Sequence, residues 1–99
     1  MLKLTSQQLI IIKNILKQHV PECEIRIFGS RINGKARPYS DLDLAIIGKD
    51  KLPLRTRRQL QENFENSELP FRVEILDWHS ISDEFRNVIT KQYSTLNLF

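Results

Sequence analysis

Two short stretches of this chain could do chemistry: Phe28-Gly29-Ser30-Arg31 and, ten residues after its Gly-Ser pair, Asp41-Leu42-Asp43. Gly29 permits a tight turn and close approach of a ligand to the backbone. Ser30 offers a hydroxyl and, at a helix start, an amide N–H aimed at an anion. Arg31 adds a positive charge that can offset a triphosphate. Aspartates two positions apart on a strand project from one face, roughly 6.5–7 Å apart. Leu42, Leu44 and Ile46 then point the other way, into a core. Adjacent carboxylates repel unless something compensates them. Mg²⁺ or Mn²⁺, hard cations that prefer oxygen, would do so. Asp-Leu-Asp alone reads better as an exposed polar strand face, Ser30 alone as a helix cap, Arg31 alone as a surface charge and Gly34 as a turn residue. Together the two stretches imply chemistry on a nucleoside triphosphate.

The flanking pattern supplies elements to hold them. Thr5-Ser6-Gln7-Gln8 reads as a capping box, and Leu9, Ile12, Leu16 and Val20 follow at helical spacing until Pro21. Glu24–Phe28 alternates as a strand ending at Gly29. Residues 30–34 form a turn or a single helical turn, and 35–40, with Pro38, a loop. A second strand spans 41–47, closed by Gly48. A helix with Pro53 in its first turn runs to about Asn66, burying Leu60 and Phe64. A third strand spans 71–78. A second capping box, Ser80-Ile81-Ser82-Asp83, opens a last helix with an apolar stripe of Phe85, Val88, Ile89 and Tyr93. The apolar tail Leu96-Asn97-Leu98-Phe99 tucks against the domain or meets a partner. This order predicts one α/β (α+β) domain over residues 1–99, with a small mixed sheet of three to four strands and helices packed on one face.

Composition bounds the rest. The 99 residues are 40% hydrophobic and 27% charged, with a formal net charge of +3. Such a mildly basic balance suits ATP, nucleic acid or an acidic partner face, and equally an ordinary solvated surface. The tightest cationic cluster, Arg55, Arg57 and Arg58, falls on an exposed helix face and does not by itself argue for nucleic acid. A single cysteine, Cys23, excludes an internal disulfide and, with His19 and His79 alone beside it, a zinc site. The start Met1-Leu2-Lys3-Leu4 lacks a signal peptide and Leu9–Ile12 is far short of a membrane span, so a cytoplasmic setting is expected.

The Gly29-Ser30 and Asp41-x-Asp43 pattern resembles the signature of the DNA polymerase β-like nucleotidyltransferase superfamily. The likeness is greatest to its minimal members, the MNT proteins, usually encoded beside a HEPN-domain protein as a toxin–antitoxin pair. It extends over Gly34-Lys35-Ala36, Tyr39–Ile47 and Arg72-Val73-Glu74-Ile75-Leu76-Asp77-Trp78, nearly the whole chain. The resemblance implies the nucleotidyltransferase fold and a third carboxylate from a later strand. With Val73 and Ile75 facing the core, Glu74 shares the open side with the aspartates, whereas Asp77 has the opposite parity. The family usually has Asp there, and Glu74 is one methylene longer. By resemblance Asp41, Asp43 and Glu74 hold Mg²⁺ (or Mn²⁺) for two-metal transfer of AMP from ATP, Glu74 helps to deprotonate the acceptor hydroxyl, and Gly29, Ser30 and Arg31 bind phosphate. The implied acceptor is a tyrosine of a partner HEPN toxin, which would be silenced.

Larger members of the superfamily carry a helical domain for which this chain has no room, so a HEPN partner or self-association is expected to complete the site. A second reading is an antitoxin that neutralises its toxin by contact and keeps vestigial catalytic residues. A third is a nucleotidyltransferase for a small molecule; nothing here would grip a template. Several other residues receive humbler expectations. His19 caps a helix end, Asp77 makes a structural hydrogen bond, and Trp78 packs or meets a partner. Tyr39 packs in a loop or core, His79 has no evident partner, and Arg72 is placed on the opposite strand side from Glu74 with no role.

Overall fold

The computed structural model describes residues 4–35, 37 and 39–99. Met1, Leu2, Lys3, Ala36 and Pro38, named above, lie outside the described residues. Helix α1 (Ser6–His19) opens on the expected box: Gln8 N donates to Thr5 Oγ1 and Thr5 N to Gln8 Oε1, both at 3.0 Å. Strand β1 (Glu24–Phe28) is followed by β2 (Leu42–Ile47), α2 (Leu54–Glu65), β3 (Val73–Asp77), a 3-10 turn (Trp78–Ser80), α3 (Asp83–Lys91) and β4 (Ser94–Leu96). Pro53 stands at the N-cap of α2, just ahead of its first turn. Among the described residues no helix is long and apolar enough to cross a membrane.

The strands form one mixed sheet in the order β3-β2-β1-β4. β1 is antiparallel to β2 and to β4, and β2 is parallel to β3 across the α2 crossover. Strand alternation sends Ile25, Ile27, Leu42, Leu44, Ile46 and Val73 to one face, where Ile12 and Leu16 of α1 and Leu60 and Phe64 of α2 close the main core.

Helices were expected on one face, and α1 and α2 obey; α3 does not. Phe85 and Ile89 lie against Phe28 and Ala45 on the opposite face, with the Phe85 ring edge-on to Phe28 at 6.0 Å. The cause is Phe28 itself, whose parity in β1 is opposite to that of Ile25 and Ile27, leaving an apolar patch that needs a cover. Val88, expected in the α3 stripe, is 59% exposed. The cap of α3 is Ser82, which accepts from Phe85 N at 3.1 Å, rather than a box begun at Ser80. The tail tucks: Ser94–Leu96 pairs with β1 as the fourth strand, and Leu96 and Leu98 are buried.

Asp77 is 1% exposed and faces the main core side opposite Ile46. It accepts from Leu52 N (3.0 Å), His79 N (3.2 Å) and Ser80 Oγ (2.9 Å), pinning the β2–α2 link and the 3-10 turn to the sheet. His79 Nε2 donates to Gly48 O at 2.7 Å, so it has the partner that the sequence left unnamed. His19 bonds Asn63 of α2 at 2.6 Å instead of capping its own helix. Replacing Asp77 with Ala leaves three part-buried bonds without their acceptor. We expect Asp77→Ala to lose about 2–4 kcal/mol of stability, measured by urea unfolding with a matched m-value.

Candidate active site

The site begins where β1 ends. After Phe28 the chain turns through Gly29, whose φ of +83° favours glycine, and the Gly29 carbonyl accepts from Ile32 N (3.0 Å) and Asn33 N (3.1 Å). Residues 30–34 are turns and not a helix, so Ser30 offers its amide and hydroxyl from a tight turn. Asp43 pairs with Phe28 across the antiparallel ladder and with Glu74 across the parallel one. These two registers put Asp43, Glu74 and the Gly29 turn at one end of the sheet, on the face opposite the main core. A Cβ built on Gly29 would collide with Asp43 Oδ2 and lie 3.1 Å from Cγ. The glycine therefore serves both the turn and the space above the carboxylate.

Asp41 lies one residue before β2 and is exposed; Asp43 is half-buried. Burial, then the charges of Asp41 and Glu74, push the Asp43 carboxyl up to about 6. Asp41 and Glu74 thus share one end of the sheet with Asp43, closely enough to oppose the ionisation of Asp43. All are hard oxygen donors, and the donor set suits a divalent cation. Among the described residues, however, no three acidic, histidine or cysteine side chains are gathered tightly enough to enclose an ion. Glu74 is turned to Arg72, whose Nη2 is 2.7 Å from Glu74 Oε2. The sequence expectation for Arg72 is corrected here: positions 72 and 74 have the same parity, as 41 and 43 do. The Glu74 bond and charge, followed by the charge of Asp41, raise the Arg72 pKa.

Arg31 also needs correction as a phosphate ligand. Its side chain turns inward, 2% exposed, with Nε and Nη2 donating to Ser40 O at 3.1 and 2.8 Å. The guanidinium lies over the Phe71 ring, 4.2 Å from its centroid. Burial lowers its pKa while Asp41 opposes that shift. By gripping the carbonyl immediately before Asp41, Arg31 fixes where the first aspartate emerges. Leu42 N donates to Arg72 O at 2.9 Å and joins this loop to the start of β3. Tyr39 is 74% exposed and does not pack as expected.

The raised Asp43 pKa sets a sign for stability. A carboxyl whose folded pKa lies above its unfolded value opposes folding once ionised. The cost is absent below about pH 4, grows toward pH 6 and is complete above it. A shift of this size is worth about 3 kcal/mol when fully shielded, and solvent access halves it to about 1.5 kcal/mol. In EDTA, Asp43→Asn is expected to unfold at higher denaturant than the parent at pH 7.5, with the gap closing at pH 4. Gly29→Ala is expected to cost about 2 kcal/mol through backbone strain and collision with Asp43. The same unfolding experiment with Gly34→Ala separates the two causes, since Gly34 has φ +82° and open space where a Cβ would sit.

Comparison with known proteins agrees with this geometry. Residues 11–96 match the family described as polymerase beta, nucleotidyltransferase. Over 92 residues the chain is 49% identical to the probable protein adenylyltransferase MntA of Haemophilus influenzae, spanning 93% of this chain and 81% of that protein. It is similar to a crystal structure of a toxin–antitoxin with AMP-PNP, at a TM-score of 0.74 and 27% identity over 89% of this chain and 71% of the other. It is also similar to a structure of a tri-AMPylated Shewanella oneidensis HEPN toxin in complex with MNT antitoxin, at a TM-score of 0.64 and 26% identity, again over 89% and 71%. A glycine turn above a repelling carboxylate set, a family match across most of the sequence and a shared fold converge: this chain belongs to the polymerase β nucleotidyltransferase family.

Proposed function

We propose that this protein transfers AMP from ATP to a hydroxyl of a partner HEPN toxin, a tyrosine by the family implication, and thereby acts as its antitoxin. The observation that carries the reading is Asp43: a half-buried carboxylate raised to about 6 by burial and by Asp41 and Glu74, beneath the one backbone turn where only glycine leaves it room. The 49% identical relative is named as a protein adenylyltransferase, and a structural relative pairs an MNT antitoxin with an AMPylated HEPN toxin.

In this reading Asp41 and Asp43 would hold Mg²⁺ (or Mn²⁺), and Glu74, paired here with Arg72, would be the third ligand. Bound there, the divalent ions would offset charge on the α-phosphate, the attacking oxygen and the departing pyrophosphate. Gly29 lets the outer phosphates approach the turn, and Ser30 and neighbouring amides donate to them. Glu74 would help to take the proton from the acceptor hydroxyl. Arg31 acts indirectly, by holding the Ser40 carbonyl and so the position of Asp41. The Arg72–Glu74 ion pair is the observation that favours the second reading, neutralisation by contact alone, because it occupies the third carboxylate.

The test is transfer of label from ATP labelled on its α-phosphate, with Mg²⁺, to the HEPN-domain protein encoded beside this chain. Label on a tyrosine of that protein, falling at least about a hundredfold in Asp41→Asn/Asp43→Asn, is the expected result. A stable complex with no transfer would replace the enzyme reading with contact neutralisation.

A further inference from the structure

The groove between α2 and the outer edge of β3 has no part in the site above. Leu54, Arg57, Arg58 and Gln61 recur at helical spacing along one side of α2 and, with Ile75 of β3, line a groove of about 240 Å³. Among the described residues no acidic side chain lines it. Neither Arg57 nor Arg58 forms an ion pair with a described residue, in contrast to Arg26, Arg72 and Arg86. Leu54 at its mouth is 59% exposed, and Ile75 is half-buried. β3 is an edge strand. Its Arg72-side carbonyl is turned toward β2, so strand alternation turns the Val73 and Ile75 carbonyls outward. Gln61 Nε2 takes the Val73 carbonyl at 3.3 Å.

We infer that this groove receives an extended acidic segment of the acceptor protein, an inference that rests on the protein-acceptor reading above. Three properties choose that occupant. Two guanidiniums with no ion-pair partner among the described residues call for anions and bind carboxylates in a fork. An apolar floor of Leu54 and Ile75 suits aliphatic side chains on alternate positions of a strand. The β3 edge beyond the Val73 carbonyl that Gln61 covers, at Ile75, supplies backbone hydrogen bonds to an added strand. Among the described residues no aromatic ring lines the groove to form the stacking platform that single-stranded nucleic acid uses. Ile75 adjoins Glu74 on β3 with the opposite parity. A segment laid along this edge therefore holds its protein within a strand's breadth of the carboxylates.

The test is calorimetric titration of the purified HEPN-domain protein into the parent chain, Arg57→Glu/Arg58→Glu and Arg57→Ala/Arg58→Ala, each verified folded by thermal melting. We expect affinity to fall at least about tenfold in the Ala pair and further in the Glu pair, with the parent's binding weakening as salt rises. Label transfer at saturating partner should recover in the Ala pair, because the arginines dock the acceptor and do not touch the reacting atoms. Parent-like affinity in both variants overturns the groove inference and leaves the proposed function standing. Absence of both binding and transfer with the parent chain overturns the proposed function and the inference together. Binding of oligouridylate RNA that both variants abolish would assign the groove to nucleic acid and overturn the peptide occupant.

Discussion

The strict alternation of β2 is the constraint on which the rest depends. Leu42, Leu44 and Ile46 are fully buried on the side of α1 and α2, and Asp43 falls between them on the other side. A slip of one residue would drive Asp43 into the main core and expose the leucines, so the hydrophobic pattern and the chemical pattern enforce each other. The neighbouring strands read out this register. Phe28 and Glu74 stand opposite Asp43 because β1 and β3 pair with β2 in opposite senses. The active end of the sheet is thus a by-product of core packing, and a carboxylate that resists ionisation is maintained there at the expense of stability.

The loop leading into β2 cannot rely on alternation, and a different device fixes it. Arg31 reaches back to the Ser40 carbonyl while its guanidinium lies on Phe71. A lysine could not replace it, since the planar group donates to Ser40 O from both Nε and Nη2 while lying on Phe71. Ser40 Oγ in turn accepts from Arg37 N at 2.7 Å, and Ser40 N donates to Arg37 O at 3.0 Å. Asp41 therefore emerges from a loop held at several points. Its negative charge eases the burial of the arginine that holds it. The two residues support each other electrostatically although their side chains serve different ends.

Much of this was legible in the sequence where a local period or cap decides the outcome. Thr5 and Gln8, the strands around Ile25 and Leu44, and the open-side parity of Glu74 follow from spacing alone. The misses have physical causes. Ser94-Thr95-Leu96 is too short to show alternation, and it becomes a strand because β1 offers an edge. The position of α3 follows from one residue, Phe28, whose parity breaks the one-sided pattern of β1. Arg31 looked like a free cation because the distance between Ser30 and Ser40 in sequence hides how tightly the loop folds back. Arg72 was legible, since the two-residue spacing that unites Asp41 with Asp43 also unites Arg72 with Glu74. The Asp77 acceptor role was readable from parity, whereas its particular donors, Leu52 among them, come from tertiary closure.

The pairing of β4 with β1 has a consequence for how the chain is made. Ile25 and Leu96 become neighbours although almost the entire domain separates them along the polypeptide. β1 and β2 precede Ser94 by a long stretch of chain, so they can pair before β4 arrives. Until then, the side of β1 later covered by β4 is a bare strand edge, flanked by the apolar Ile25 and Ile27. A chain without that contact is at its most adhesive, and a three-residue strand is enough to cover this side of β1.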